Sequence, residues 1–258
     1  MKLFSRIYGE GRPLIILHGL FGMSDNWQTH AKNYAALGFQ VHVLDQRNHG
    51  QSPSSDKLSY QLMADDLLEY LNEHDIESSS VIGHSMGGKV AMLFACLHPE
   101  RIEKLLVVDI APKAYPVHHQ EFIDAMKAMD LASISTRKEA DEALKKGIEN
   151  FAIRQFLLKS LYWKDKGELA WRFNLDAIEA NIHMVGQVLF EDAEFIGDTL
   201  FIAGGKSGYI KPEDEELIHH HFPMARIYFI ENAGHWVHAE AAEEFADLSS
   251  RFLLGMLA

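Results

Sequence analysis

Short apolar runs alternate with amphipathic segments through the first 110 residues of the chain. The runs of strand length are residues 14–17 (LIIL), 41–44 (VHVL), 80–82 (SVI) and 105–108 (LLVV). Between them, residues 60–74 carry apolar side chains at helical spacing, and residues 89–97 are apolar throughout and predict a buried helix. Strands that are nearly continuous apolar runs are buried on both faces, as in a parallel sheet covered by helices. The pattern therefore predicts an α/β fold with a mostly parallel central sheet.

The alternation stops after Pro112 and returns near residue 199. Residues 117–190 show almost no strand signal and contain several helix-like stretches, including IRQFLLKSLYW at 153–163. Strand-like runs return at 199–203 (TLFIA) and 226–230 (RIYFI), and residues 240–257 are helical again. We predict one core formed by residues 1–111 and 197–258. Residues 112–196 are predicted to be an inserted helical lid.

Composition narrows the class of protein. The chain has 258 residues, 47% of them hydrophobic and 24% charged, which is ordinary for a globular protein. Its formal net charge of −13 argues against a nucleic-acid partner, since phosphate binding needs clustered Lys and Arg. The single cysteine, Cys96, excludes an intramolecular disulfide. No apolar run approaches a membrane span and no signal core is evident, so we expect a soluble, cytoplasmic protein.

The stretch GHSMGG at residues 83–88 follows one strand and precedes a helix. A Gly-x-Ser-x-Gly pattern at such a junction is typical of a nucleophile elbow, a sharp turn that exposes a serine hydroxyl. Ser85 is therefore the candidate nucleophile. The alternative is a tight turn that serves packing alone.

A serine nucleophile needs a base, and the base needs an orienting acid. His235, in the NAGHW loop directly after RIYFI, is the candidate base, and His238 is its local rival. The consecutive histidines at 219–221 point in different directions from one helix and do not form a metal cluster.

The acid is commonly found in the loop after the strand TLFIA. That loop reads GGKSGY here, and Ser207 occupies the expected carboxylate position. Asp109, at the end of the strand that follows the elbow helix, is the next carboxylate at a strand end. Glu213 and Asp214 are rivals, although acids at a helix start are common for capping alone. The alternative for Asp109 is that it caps the next segment or forms hydrogen bonds with loop amides.

Donors for an oxyanion are expected from two backbone N–H groups, those of Met86 and Leu20. We interpret His18 as a structural residue of the same loop as Leu20. Phe21 and Trp236 are predicted to contact substrate, together with apolar lid residues such as Phe156. In residues 45–52 (DQRNHGQS), hydrogen bonds between loops are the favoured interpretation, because a metal site would need ligands that the sequence does not mark.

Together these landmarks resemble the α/β-hydrolase superfamily over essentially the whole chain. In closer detail the chain resembles the YbfF-type bacterial esterases and their mitochondrial relatives. The shared phrases are HGLFG, RNHGQS, GHSMGGKVAM, VVDIAP, FLLKS, WRFN and NAGHWVHAE. The resemblance implies that Asp109 is the acid. It also implies esterase or thioesterase activity on acyl substrates, without a metal or an organic cofactor.

The resulting hypothesis is a serine hydrolase that cleaves carboxylic esters or thioesters through an acyl-enzyme. One alternative is a carbon–carbon bond hydrolase, or a lyase of the menaquinone-pathway type, on the same triad. Another is a slow-turnover small-molecule receptor or regulator on the same fold. Dehalogenases and epoxide hydrolases are excluded because they need a carboxylate at position 85.

Overall fold

The computed structural model describes residues 1–165 and 167–257 and is built on a seven-stranded sheet. The described residues form the strands β1 (Ser5–Tyr8), β2 (Arg12–Leu17), β3 (Phe39–Leu44), β4 (Ser79–His84), β5 (Ile102–Val108), β6 (Leu161–Asp165), β7 (Glu168–Trp171), β8 (Thr199–Gly204) and β9 (Ala225–Ile230). The large sheet has the order β1-β3-β2-β4-β5-β8-β9, and only β1 runs antiparallel to its neighbour. The predicted mostly parallel sheet is thus confirmed.

Helices cover both faces of this sheet. The described helices are α1 (Gln28–Ala36), α2 (Tyr60–Glu73), α3 (Met86–Leu97), α4 (Gln120–Lys127), α5 (Arg137–Leu144), α6 (Phe151–Leu158), α7 (Leu175–Ala180), α8 (Glu215–His221), α9 (Val237–Glu240) and α10 (Ala242–Leu253). Successive residues of β2 enter two different cores: Ile15 packs with α2 and α3, and Ile16 packs with α1 and α10. Because side chains alternate between faces that are both buried, the strand reads as a continuous apolar run.

The segment between β5 and β8 contains α4 to α7 and also the hairpin β6–β7, which the sequence pattern did not predict. Helix α6 ends at Leu158, and Leu161 already pairs with Trp171. Short apolar runs do not distinguish helix from strand, so pairing with a partner strand decides. Ser160, between the two elements, donates a hydrogen bond from Oγ to the carbonyl of Phe21 (3.2 Å) and so joins this segment to the core.

Two chain segments, residues 112–115 and 186–189, form the neck that joins the insertion to the sheet. The N–H of Tyr115 donates to the carbonyl of Gly186 (3.0 Å), and that of Leu189 donates to the carbonyl of Pro112 (3.2 Å). The amine of Lys89, a residue of α3 that is 1% exposed, donates to the carbonyls of Lys113 (2.5 Å) and Gln187 (2.8 Å). Lys89 therefore bridges the two sides of the neck, a role that nothing in its sequence context had indicated.

The buried position of Lys89 predicts a pH-dependent stability. Burial, and next the nearby charge of Lys113, lowers the pKa of Lys89 from 10.5 to about 7. Between these values the unfolded chain holds a proton that the folded chain has released, so the free energy of unfolding rises with pH. We expect the stability of the wild type relative to Lys89→Met to increase by about 2 kcal/mol between pH 7 and pH 9. Urea unfolding of both proteins at the two pH values measures this change.

The matched control is Lys138→Met, because Lys138 is exposed on α5. Its stability difference from the wild type should not change over the same pH interval. The expectation would be contradicted if the difference in free energy of unfolding between the wild type and Lys89→Met were also the same at both pH values. The neck itself should persist at pH 9, since a neutral amine still has two N–H groups for the two carbonyls.

Candidate active site

The turn at residues 83–88 places Ser85 between β4 and α3 in a strained backbone conformation. Ser85 has φ of 52° and ψ of −118°, and its N–H donates to the carbonyl of Val108 (3.0 Å). A Cβ atom on Gly83 would overlap the carbonyl oxygen of Gly87, and one on Gly87 would overlap that of Leu17. The two glycines are therefore required by the close approach of three backbone segments.

The candidate base lies within hydrogen-bond distance of both the serine and the candidate acid. His235 Nε2 is 3.0 Å from Ser85 Oγ, and His235 Nδ1 is 2.7 Å from Asp109 Oδ2. The carboxylate accepts a hydrogen bond from Nδ1–H, which leaves the Nε2 lone pair free to accept the serine proton. The rival histidine, His238, is buried and stacks on Trp27 with ring centroids 4.2 Å apart. The structure thus brings together Ser85, His235 and Asp109.

Asp109 is fully buried and sits in the left-handed region, with φ of 51°. Its Oδ1 accepts hydrogen bonds from the N–H of Gly204 (2.9 Å) and from Ser207 Oγ (2.7 Å). These two hydrogen bonds hold the Asp109 side chain in place, with Oδ2 directed at His235. Ser207 occupies the loop position where a carboxylate was expected, and it binds the carboxylate that comes from β5 instead. The loop sequence shows that the acid is missing there, but it does not reveal the contact between Ser207 and Asp109.

The side chain of His84, the residue before the candidate nucleophile, binds the backbone of the candidate base His235. Its Nε2 lies 2.8 Å from the carbonyl of His235, an atom that can only accept, so Nε2 carries the proton and donates. Burial, followed by the nearby His238 and His235, lowers the pKa of His84 well below 6.5. The imidazole is therefore neutral near pH 7, and it holds the loop of His235 against the elbow.

The loop of residues 18–22 lies against the elbow and is held by two buried histidines. His18 donates from Nδ1 to the carbonyl of Gly19 (2.8 Å) and accepts at Nε2 from the N–H of Gln46 (3.0 Å). His49 accepts at Nε2 from the N–H of Phe21 (3.2 Å). Within the described chain, the N–H groups of Leu20 and Met86 donate to no protein acceptor. Both remain available as the predicted oxyanion donors.

A cavity of about 210 Å³ opens beside Ser85 and His235. Its apolar wall combines core and insertion residues, namely Phe21, Phe122, Ile153, Phe156, Leu157 and Trp236. Phe21 and Trp236, which the sequence analysis predicts to contact substrate, both line this cavity. Two other aromatic residues of the insertion, Phe151 and Trp163, are exposed and lie outside this wall.

One side of the cavity is polar and was not predicted. His118, His119 and Glu121, at the start of α4, contribute to its lining. Burial, and next the charges of His235 and His118, lowers the pKa of His119 to about 4. His119 is therefore neutral near pH 7 and contributes a polar, uncharged group to this side of the cavity.

The side chains of residues 45–52 join neighbouring loops through hydrogen bonds and an ion pair. Asp45 accepts from the N–H groups of Ser24 (2.6 Å) and Gln51 (2.8 Å), and Arg47 pairs with Asp66 (2.6 Å). Across residues 1–165 and 167–257, no cluster of three or more His, Cys, Asp or Glu residues is arranged to hold a metal ion. Over the same residues, no helix has both the length and the apolar composition needed to cross a membrane.

A mostly parallel sheet with a serine in a strained turn at a strand end defines an α/β hydrolase. The chain belongs to this family: the sequence model described as alpha/beta hydrolase fold matches residues 12–131. The sn-1-specific diacylglycerol lipase ABHD11 of Danio rerio is 38% identical over 252 residues, which are 95% of this chain and 79% of that protein. Esterase YbfF of Escherichia coli is 36% identical over 93% of this chain and 92% of that protein.

Similarity to a solved structure extends over the whole fold. A marine microorganism esterase superposes with a TM-score of 0.94 and 42% sequence identity, covering 98% of this chain and 99% of that one. These relatives are thus a lipase and two esterases, and the one with a solved structure has the same fold as this chain. The resemblance to YbfF-type esterases is confirmed.

Proposed function

We propose that this protein is a serine hydrolase that cleaves carboxylic esters or thioesters of small acyl substrates. The observation that carries the proposal is the continuous hydrogen-bonded chain from Ser85 Oγ through the His235 ring to the Asp109 carboxylate. This geometry is the one that activates a serine hydroxyl at neutral pH. The esterase and lipase relatives support an acyl ester as the substrate class.

In the proposed reaction, Ser85 Oγ attacks the substrate carbonyl carbon while His235 Nε2 takes the hydroxyl proton. The carbonyl oxygen becomes an oxyanion that accepts from the N–H groups of Leu20 and Met86. The tetrahedral intermediate collapses, and His235 returns its proton to the departing alcohol or thiol, which leaves an acyl-Ser85. Water then loses a proton to His235 and attacks the acyl carbon. The second collapse breaks the bond between the acyl carbon and Ser85 Oγ, His235 returns its proton to Oγ, and the acid is released.

The insertion of residues 112–196 acts in this proposal as the lid over the acyl group. It supplies Phe156 and Leu157 to the cavity, and the Phe156 ring contacts Trp236 with centroids 5.4 Å apart. A cavity of about 210 Å³ is smaller than the sites that hold drug-sized ligands. The proposed substrates therefore carry short, apolar acyl chains.

The acyl cavity predicts a dependence of activity on chain length. We expect kcat/KM for nitrophenyl esters to be highest for short acyl chains and to fall once the chain reaches the Phe156–Trp236 contact. Phe156→Ala should move the optimum toward longer chains, because it opens that end of the cavity. Phe151→Ala, at an exposed position of the same helix, is the matched control and should leave the profile unchanged. An identical profile in both variants would contradict the placement of the acyl group.

Labelling with a fluorophosphonate, followed by identification of the modified residue, tests the proposal as a whole. We expect modification at Ser85, together with steady-state turnover of acyl esters or acyl-thioesters. Modification at another residue would refute the assigned nucleophile. Stoichiometric labelling of Ser85 without turnover of any ester would favour the receptor alternative.

A further inference from the structure

The loop after β8 places an aromatic ring directly on the candidate base. The phenol ring of Tyr209 stacks on the imidazole of His235, with ring centroids 4.1 Å apart and planes inclined by 21°. Tyr209 lines the same cavity as His235 and Ser85. Nothing in the sequence pattern singled out Tyr209, which lies two residues beyond Ser207.

Hydrogen bonds to the backbone of Tyr209 hold this ring in position. The N–H of Tyr209 donates to Ser207 Oγ (3.2 Å), and the carbonyl of Tyr209 accepts from the hydroxyl of Tyr115 (2.6 Å). The ring of Tyr115 lies against that of Tyr209 with centroids 5.3 Å apart. Within the described residues, the Tyr209 hydroxyl makes no hydrogen bond, so the stack does not depend on it.

The groups around His235 differ in how well they can stabilise a positive charge on its ring. Three neighbouring histidines are neutral near pH 7, because burial is the largest of the causes that lower their pKa values. The pKa is well below 6.5 for His84, about 4 for His119 and about 3 for His238. The carboxylate of Asp109 contacts the Nδ1 edge of the His235 ring. The Tyr209 ring covers a face of the imidazole, and the negative face of an aromatic ring attracts a cation.

We propose that Tyr209 is a positioning residue for His235. Its ring stabilises the imidazolium that His235 forms during catalysis, and it holds the plane of the His235 imidazole toward Ser85. This inference rests on the proposed function, because the imidazolium arises only if His235 takes the serine proton. The neutral ground state gains less from the ring than the cation does. Loss of the ring therefore lowers kcat more than it raises KM.

Variants at position 209 separate the contribution of the ring to kcat from that of the hydroxyl. With a short-chain nitrophenyl ester, Tyr209→Phe should keep kcat within about twofold of the wild type, since the stack is retained. Tyr209→Leu should lower kcat about tenfold, with a smaller change in KM. Tyr228→Leu, at a surface position of β9, is the matched control and should keep wild-type kinetics. Wild-type kcat in Tyr209→Leu would overturn the inference.

A fluorinated series distinguishes attraction by the ring from packing alone. Phenylalanine analogues with one, two or three ring fluorines at position 209 keep the shape of the ring and weaken its negative face. We expect the logarithm of kcat to fall with each added fluorine, relative to Tyr209→Phe. A kcat that does not change along the series would overturn the electrostatic role.

The failure of this inference can be told apart from the failure of the proposed function. If Tyr209→Leu retains full activity while Ser85→Ala is inactive, the inference fails and the proposed function stands. If Ser85→Ala also retains activity, the proposed function fails. Melting temperatures of the position 209 variants within a few degrees of the wild type exclude unfolding as the cause of a lowered kcat; should Tyr209→Leu be unstable, the fluorinated series still gives the answer.

Discussion

Ser85→Ala is expected to reduce kcat for hydrolysis of a nitrophenyl acyl ester by about 10⁴- to 10⁶-fold, as loss of a triad nucleophile does. The substitution removes the only oxygen that lies within hydrogen-bond distance of His235 Nε2 in the described chain. No acyl-enzyme can form without it. The remaining rate reflects substrate binding and the oxyanion donors, which the variant keeps.

Steady-state kinetics with purified protein and fluorophosphonate labelling measure this effect in two independent ways. Ser207→Ala is the matched control, because Ser207 also contacts the triad but binds Asp109 Oδ1 and not the base. We expect it to lose about tenfold to a hundredfold, because it removes one hydrogen bond to a charged group and also the acceptor of the Tyr209 N–H. Activity that persists in Ser85→Ala above one per cent of the wild type would refute the assigned nucleophile.

Asp109→Asn is expected to lower kcat by about 10⁴-fold, with little change in KM. An asparagine amide that keeps the acceptor positions of Oδ1 presents an N–H to His235 Nδ1, where the carboxylate presented a lone pair. The imidazole must then carry its proton on Nε2, the atom that has to accept the serine proton. Steady-state kinetics near pH 7 measure the loss.

The fold should tolerate this change, because asparagine adopts the left-handed conformation that position 109 requires. Asp214→Asn is the matched control, since Asp214 is also a buried acid and was the rival for the same role. It pairs with Lys113 (2.5 Å) and makes no contact with His235. We expect its kcat to stay within about threefold of the wild type, as for a residue outside the reacting groups. A loss below tenfold in Asp109→Asn would assign the acid elsewhere.

The sequence was sufficient to predict the turn at Ser85 and six of the seven strands of the large sheet, all but β1. Both are local features: a strand buried on both faces is a continuous apolar run, and the elbow needs glycines within two residues of the serine. The hairpin β6–β7 was missed because its strands depend on pairing with each other and not on a local pattern. Residues 161–163 become a strand only because residues 169–171 lie beside them.

The contacts of Ser207 and Lys89 lay beyond sequence reasoning. Ser207 suggested a missing carboxylate, but its hydrogen bond to Asp109 spans 98 residues of chain and follows from the pairing of β5 with β8. Lys89 stood in an apolar helix with no marked partner. Its two acceptors are backbone carbonyls, and a carbonyl is present at every residue, so no residue type could reveal them.

By itself the sequence determined which residues stand at the carboxyl ends of strands and which of them have the chemistry of a nucleophile, a base or an acid. The tertiary structure decided which of these residues meet. The neighbouring order of β4, β5, β8 and β9 brings residues 85, 109, 207, 209 and 235 to one edge of the sheet. Periodicity reports only the surroundings of each residue along its own element. Strand order and register are set by the packing of the whole core, and they alone place an imidazole between a serine, a carboxylate and an aromatic ring.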